Sequence, residues 1–212
     1  MSTPTPPTPP TPPTPPSSTD DAYAARLTRL GGRRWKRVLD VQAPYRWHLR
    51  SLDPGFTLDV GCGVGRNLAH LDGNGVGVDP NTAAVAEARR RGLEAYNPEE
   101  FAASPHAVKG GFDSLLTAHV LEHLEPDEAA ALLATYVPYV RPGGKVIVIT
   151  PQEAGQRSDA THLVFIDFAR ADDLVASAGV RVERHRSFPF PRPVGRYFRH
   201  NEFVTVGRTA DR

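Results

Sequence analysis

Residues 58–68 read Leu58-Asp59-Val60-Gly61-Cys62-Gly63-Val64-Gly65-Arg66-Asn67-Leu68. The apolar residues around Asp59 predict a short β-strand, and the glycines at alternate positions predict a sharp turn straight after it. Lacking a Cβ, Gly61 and Gly63 let the backbone turn and approach a ligand closely. Gly65 then opens a helix. A strand running through such a turn into a helix is the start of an α/β nucleotide-binding unit.

The chain on either side keeps that alternation. Short apolar runs at 56–60, 75–79, 93–96, 112–118 and 145–150 predict strands, and 180–184 and 202–207 predict two closing strands. Helical patterns lie between them. Asn81 or Thr82 can cap a helix whose Ala84, Val85 and Ala88 form an apolar stripe ended by Gly92. Pro126-Asp127 opens another, with Leu133, Tyr136, Val137 and Val140 at helical spacing. Pro138 is expected to distort that helix and Pro142-Gly143-Gly144 to stop it. Ala171, Leu174, Val175 and Ala178 repeat the spacing before Gly179. Strands alternating with helices predict a mainly parallel sheet with helices on both faces, and such sheets bind ligands at the C-terminal ends of their strands.

Three ligand classes compete for the glycine turn. A P-loop needs Gly-Lys-Ser/Thr at the helix start, which is missing. A dinucleotide site prefers G-x-G-x-x-G, and here Arg66 stands where the third glycine belongs. Asp59 would repel a pyrophosphate and attract an ammonium group. A ligand with an amino-acid end and a nucleoside end fits better. Asp79, at the end of the second strand, can accept hydrogen bonds from two ribose hydroxyls. Asn97, after the third strand, can offer donor and acceptor to an adenine edge.

Residues 58–68, Val76-Gly77-Val78-Asp79, the run 112–124 (Phe-Asp-Ser-Leu-Leu-Thr-Ala-His-Val-Leu-Glu-His-Leu) and Arg141-Pro142-Gly143-Gly144-Lys145 together resemble the successive motifs of class I S-adenosylmethionine-dependent methyltransferases. The resemblance covers about residues 56–207. It implies a Rossmann-like, seven-stranded, mainly parallel sheet with an antiparallel last strand. It also implies that Asp59, Gly61 and Gly63 surround the methionine part of S-adenosylmethionine, with Cys62 and Asn67 as neighbouring cofactor candidates. Asp79 would hold the ribose beside Pro80, Asn97 and Pro98 would flank the adenine, and His119 would sit beside the cofactor where the fourth strand ends. Cys62 reads as a small filler rather than a nucleophile, because no base stands beside it in sequence. His123 reads as a helix anchor.

A sulfonium methyl is already activated, so transfer needs alignment and exclusion of water, and a hydroxyl acceptor is helped by a base. His119 and His162 are the candidate bases, since imidazole titrates near working pH. An Asn/Asp-Pro-Pro-Tyr/Phe motif is missing, the place reading Thr117-Ala118-His119-Val120, which argues against adenine- or glutamine-directed N-methylation. Without an aspartate cluster of the magnesium-dependent catechol type, no metal is expected. The arginine-rich, aromatic stretch 181–200 suits a small anionic or sugar-like acceptor methylated on oxygen, since guanidinium groups pair with carboxylate and phosphate. Two alternatives stay open: RNA, whose bases stack on aromatics, and a non-catalytic S-adenosylmethionine-binding partner protein.

Composition sets the outer bounds. The chain has 212 residues, room for one α/β domain, with 25 Lys+Arg against 24 Asp+Glu and a net charge of +1, which argues against a nucleic-acid coat. One cysteine excludes a disulfide framework. Apolar runs are too short for a membrane span. No secretion signal is read at the N-terminus, so a cytoplasmic protein is expected. Nine of the 21 prolines fall in the first 16 residues, predicting a disordered Thr/Pro-rich tail over 1–20. Residues 21–55 are expected to be a helical, basic segment on the substrate side, ahead of the cofactor-binding domain at 56–212.

Overall fold

The structure, a computed structural model, describes residues 42–211. The tail expected over 1–20, and the part of the basic segment up to residue 41, lie outside the described residues.

The central strands are short and continuously buried, as strands covered on both faces must be. They are β1 (Thr57–Val60), β2 (Gly75–Val78), β3 (Ala95–Tyr96), β4 (Phe112–Ala118) and β5 (Val140–Pro151). With β6 (Val180–Phe188) and β7 (Glu202–Thr209) they form one seven-stranded sheet in the order β3-β2-β1-β4-β5-β7-β6. Every described pairing is parallel except those of β7, which runs antiparallel to both β5 and β6. The strand order reverses beside β1, between β1 and β4, where α/β sheets open a crevice for ligands.

Helices cover both faces. They are α1 (Ala43–Ser51), α2 (Arg66–His70), α3 (Thr82–Arg90), α4 (Pro98–Ala102), α5 (Pro126–Tyr136), α6 (Glu153–Gln156) and α7 (Phe168–Ser177). Alternation along the strands sends successive side chains to opposite sides. Leu115, Val146 and Val148 pack with Phe101, Phe112, Leu133 and Val175 on one side. Leu116, Ile147 and Ile149 pack with Leu49 and Leu52 of α1 on the other. Residues 43–51 are thus tied to the sheet by apolar burial.

Two helix signals act as read. Asn81 Oδ1 accepts the Ala84 N–H at 2.9 Å and so caps α3. Pro126 stands at the first position of α5, and Pro138 sits in a 3₁₀ turn (Val137–Tyr139) that follows it. The helix expected to reach Val140 and stop at Pro142-Gly143-Gly144 ends at Tyr136 instead. Several strand boundaries also differ. The strand expected at 145–150 begins at Val140, because residues 141–144 form a bulge inside it: Phe112 pairs with Val140, and Ser114 with Lys145. Thr209 Oγ1 of β7 closes that bulge, accepting from Gly144 N at 3.1 Å and donating to Arg141 O at 2.8 Å. The closing strands expected at 180–184 and 202–207 extend to Phe188 and Thr209, since each pairs along its length with the other.

Candidate functional site

The turn after β1 holds Gly61 at φ 77° and Gly63 at φ 53°, the left-handed region that side chains disfavour. It is pinned from beneath. Gly61 and Cys62 both donate N–H to Val78 O, at 2.8 and 3.2 Å. Gly63 N donates to Asp79 Oδ2 at 2.7 Å, and Asn81 N donates to Asp79 Oδ1 at 2.9 Å. Asp79 therefore ties the glycine turn to the start of α3. Burial raises its pKa, against the two N–H donors that lower it. Each carboxylate oxygen keeps a lone pair for a ribose hydroxyl. Asp79→Ala is expected to weaken cofactor binding by about 1–3 kcal/mol, since charged acceptors are lost. Calorimetry showing unchanged affinity would remove the residue from the site.

Asp59 is fully buried, and among the described residues neither carboxylate oxygen has a hydrogen-bond partner. Burial pushes its pKa up to about 7, helped by the charge of Asp79 and opposed by Asn67 and Arg66. An uncompensated buried carboxylate at the end of a strand is costly unless a cation completes it. That orphaned pair of oxygens fits the ammonium end of S-adenosylmethionine. The cradle of Gly61, Gly63 and Asp79 fits the remainder.

The other cofactor candidates surround the turn. The Cys62 side chain packs with Leu68, Val85, Ala88 and Ala95 beneath it, and its N–H donates to Val78 O, so the side chain is a core filler. Asn97 caps α4, its Oδ1 accepting from Glu100 N at 2.8 Å, which leaves its amide N–H₂ for an adenine edge. Pro98 is half-buried beside it, and Pro80 is exposed after β2.

Beyond the turn lies a cavity of about 860 Å³ at the C-terminal ends of β4 and β5, lined by Ala118, His119, Ile149 and Pro151. Asn67 and Arg66 border it, so it adjoins the glycine turn. Residues Tyr45 and His48 of α1 form one wall, and Phe190, Phe198 and Arg199 another. His162, Ser158 and Asp159 close a third side. The two candidate bases thus share one cavity.

Their chemistry differs. His119 Nε2 lies 2.9 Å from Glu202 Oε1, and its Nδ1 lies 3.3 Å from Glu122 Oε1. Burial alone would lower its pKa, but the two carboxylates outweigh that and hold it at about 10. Two carboxylates that favour the charged ring make His119 a poorer candidate base than His162. Its positive φ of 60° is the kind of strained backbone that surrounding contacts must hold in place. His162 Nδ1 lies 3.1 Å from Gln156 O, leaving its other nitrogen for the cavity side.

Sequence reasoning missed three participants. Glu202 lies 83 residues from His119 and carries no local signal. Glu122, at i+3 from His119, was legible only as spacing. His48 lines the cavity with its Nε2 buried and unpartnered, stacked on Phe188 at 3.9 Å, and burial lowers its pKa. Part of the arginine-rich stretch is taken up by ion pairs, while Arg199 lines the cavity. Arg192 forms a bidentate pair with Glu153 at 2.8 and 2.6 Å and lies over the Phe203 ring, while Glu183 pairs with Arg181 and Arg208.

A glycine turn with a carboxylate at each of two strand tips, on a sheet ordered 3-2-1-4-5-7-6, defines a class I methyltransferase fold. Residues 58–146 match the family model described as a methyltransferase domain. That match spans less than half of the chain, and the fold around it is the class I methyltransferase fold. Solved structures agree in fold. An S-adenosylmethionine-dependent methyltransferase from Archaeoglobus fulgidus has 17% identity and a TM-score of 0.62, covering 89% of this chain and 100% of its own. Magnesium protoporphyrin IX methyltransferase from Synechocystis PCC 6803, solved with S-adenosylhomocysteine, has 15% identity and a TM-score of 0.63, covering 91% and 97%. A Haloferax volcanii putative methyltransferase in complex with the Trm112 activator has 20% identity and a TM-score of 0.65, covering 90% and 95%. No curated protein matches the chain significantly by sequence. No helix among the described residues is long and apolar enough to cross a membrane.

Proposed function

We propose that the chain binds S-adenosylmethionine at the glycine turn and methylates an oxygen of a small, anionic or sugar-like molecule held in the adjoining cavity, in the cytoplasm. The observation that carries this reading is the cavity itself. Its volume of about 860 Å³ suits one small ligand. Its wall combines the imidazolium of His119 and the guanidinium groups of Arg66 and Arg199 with aromatic faces from Phe190 and Phe198.

When bound, S-adenosylmethionine supplies a methyl on a cationic sulfur, whose C–S bond breaks as the acceptor oxygen forms the new C–O bond, leaving S-adenosylhomocysteine. Asp59 faces the ammonium end and Asp79 the ribose. Helix α1 and residues 189–200 wall the cavity and keep water out. With His119 already protonated, His162 takes the proton released by an acceptor hydroxyl, and His48 is the second histidine placed to do so. A carboxylate acceptor needs neither.

The test has two stages. Calorimetry should show stoichiometric binding of S-adenosylmethionine, and S-adenosylhomocysteine should then accumulate with phosphorylated or carboxylated metabolites. His162→Ala should lower that turnover more than cofactor affinity, and equal activity removes His162 from the mechanism. Turnover confined to RNA, with binding that falls steeply with salt, would replace this acceptor class. Cofactor binding without product from any acceptor would make the chain a regulatory partner.

A further inference from the structure

We infer that Glu122, His123 and His162, the last of which lines the cavity, form a binding site for one divalent transition-metal ion. One ring nitrogen of each histidine and a carboxylate oxygen of Glu122 lie within 4.8 Å of one another. Sequence places two of these residues side by side but the third 39 positions on; the fold brings them together. The no-metal expectation rested on the missing aspartate cluster and did not weigh this set.

Two independent observations point to an ion. Glu122 is fully buried, and among the described residues neither carboxylate oxygen makes a hydrogen bond, the His119 Nδ1 lying 3.3 Å from Oε1. A buried carboxylate normally finds donors. The histidines, in turn, are both secured from behind. His123 Nδ1 lies 3.1 Å from Thr161 O, and His162 Nδ1 lies 3.1 Å from Gln156 O. An Nδ1–H donated to a carbonyl fixes the tautomer that leaves Nε2 as a lone-pair ligand, the arrangement that orients metal-binding histidines. The two rings stand edge to face, with centroids 4.8 Å apart.

Two imidazoles and one carboxylate suit zinc, manganese, iron or cobalt, whereas magnesium prefers oxygen ligands. Ligands about 2.0–2.2 Å from an ion stand closer together than 4.8 Å, so binding would draw the side chains in by roughly 1 Å. Both histidines are only half-buried and have room to move. Three protein ligands leave open positions. His162 lines the cavity, so a bound ion would lie at its edge. There, and this clause rests on the methyltransferase reading with His162 as ligand in place of base, the ion would hold an acceptor oxygen and lower the pKa of its hydroxyl, with the proton passing to solvent.

The site is tested with the full chain, freed of metal by a chelator and titrated with Co²⁺ and Zn²⁺ without donor or acceptor. One Co²⁺ per chain, with visible absorption bands, is expected. His162→Ala and Glu122→Gln should each weaken it more than about tenfold, since a ligand is lost. His106→Ala, which removes a surface histidine paired with Glu94, should leave it unchanged. No stoichiometric binding, or equal affinity in both ligand variants, overturns the site. Metal-free melting temperatures show that each variant is folded. Calorimetry with S-adenosylmethionine on the same samples separates the two readings. Cofactor binding without Co²⁺ removes the metal site alone, and Co²⁺ binding without cofactor removes the methyltransferase reading alone.

Discussion

Asp59→Asn should flatten the pH dependence of the cofactor-free protein's stability. Burial raises the carboxyl from its ordinary 3.8 to about 7 in the folded state. A group whose pKa is raised on folding contributes fully below its unfolded pKa. That contribution is lost as pH rises toward the folded value. The cofactor-free wild type should therefore lose about 4 kcal/mol between pH 4 and pH 7 through this one residue, at about 1.4 kcal/mol per unit. Above pH 6.5 the raised His119 adds a second loss of the same sign. Below it the raised Asp79 and the lowered His48 also contribute, with opposite signs, so it is the difference between wild type and variant that isolates Asp59. Melting curves of wild type and Asp59→Asn from pH 4 to pH 7 check it. The difference between them should grow in the variant's favour as pH rises, and parallel curves would show that Asp59 is not held this way. Binding of a cationic ligand should reverse the trend. Affinity for S-adenosylmethionine should climb through pH 7 in the wild type and stay flat in the variant, because only the ionised carboxyl attracts an ammonium group.

That contrast shows which parts of the molecule local sequence encodes. Strands β1, β2 and β4 were legible because a buried parallel strand is a compact apolar run bounded by turn residues. Asp59 and Asp79 were legible because a charge at the tip of such a run is out of place. The bulge in β5 was not. Pro142-Gly143-Gly144 is a stop signal to any local reading, and only Thr209, 65 residues from Gly144, makes it part of a strand. The same distance problem governs the site. His119 reads as a base because it ends the fourth strand and an imidazole titrates near working pH, yet Glu202 arrives from the last strand and favours its charged form. The arginines of 181–200 looked like a binding surface because Glu153, which neutralises Arg192, lies 39 residues away. Long-range ion pairs change what a residue does without leaving a trace beside it.

Gly61→Ala is expected to be the most damaging single change in the turn, for a reason other than ligand approach. An added Cβ would fall far inside contact distance of Val120 Cγ2, in the segment after β4. It would also sit at φ 77°, where an alanine is strained. Overpacking and backbone strain each cost about 1–3 kcal/mol. The backbone cannot relax readily, because Gly61 and Cys62 both donate to Val78 O and Gly63 is held by Asp79. The variant should melt well below the wild type and lose affinity for S-adenosylmethionine together, since the same turn serves both. The two costs can be separated. Val120→Ala in the Gly61→Ala background removes the collision but not the strain, so it should restore part of the melting temperature, a non-additive outcome expected for residues in contact. If the double variant is simply the sum of the singles, Val120 is not what requires a glycine here. Val120 directly follows His119, so the segment after β4 both supplies a residue of the cavity wall and presses on the glycine turn. A displaced Val120 should therefore disturb both halves of the site, and cofactor affinity in Gly61→Ala should recover with Val120→Ala to the same partial extent as stability.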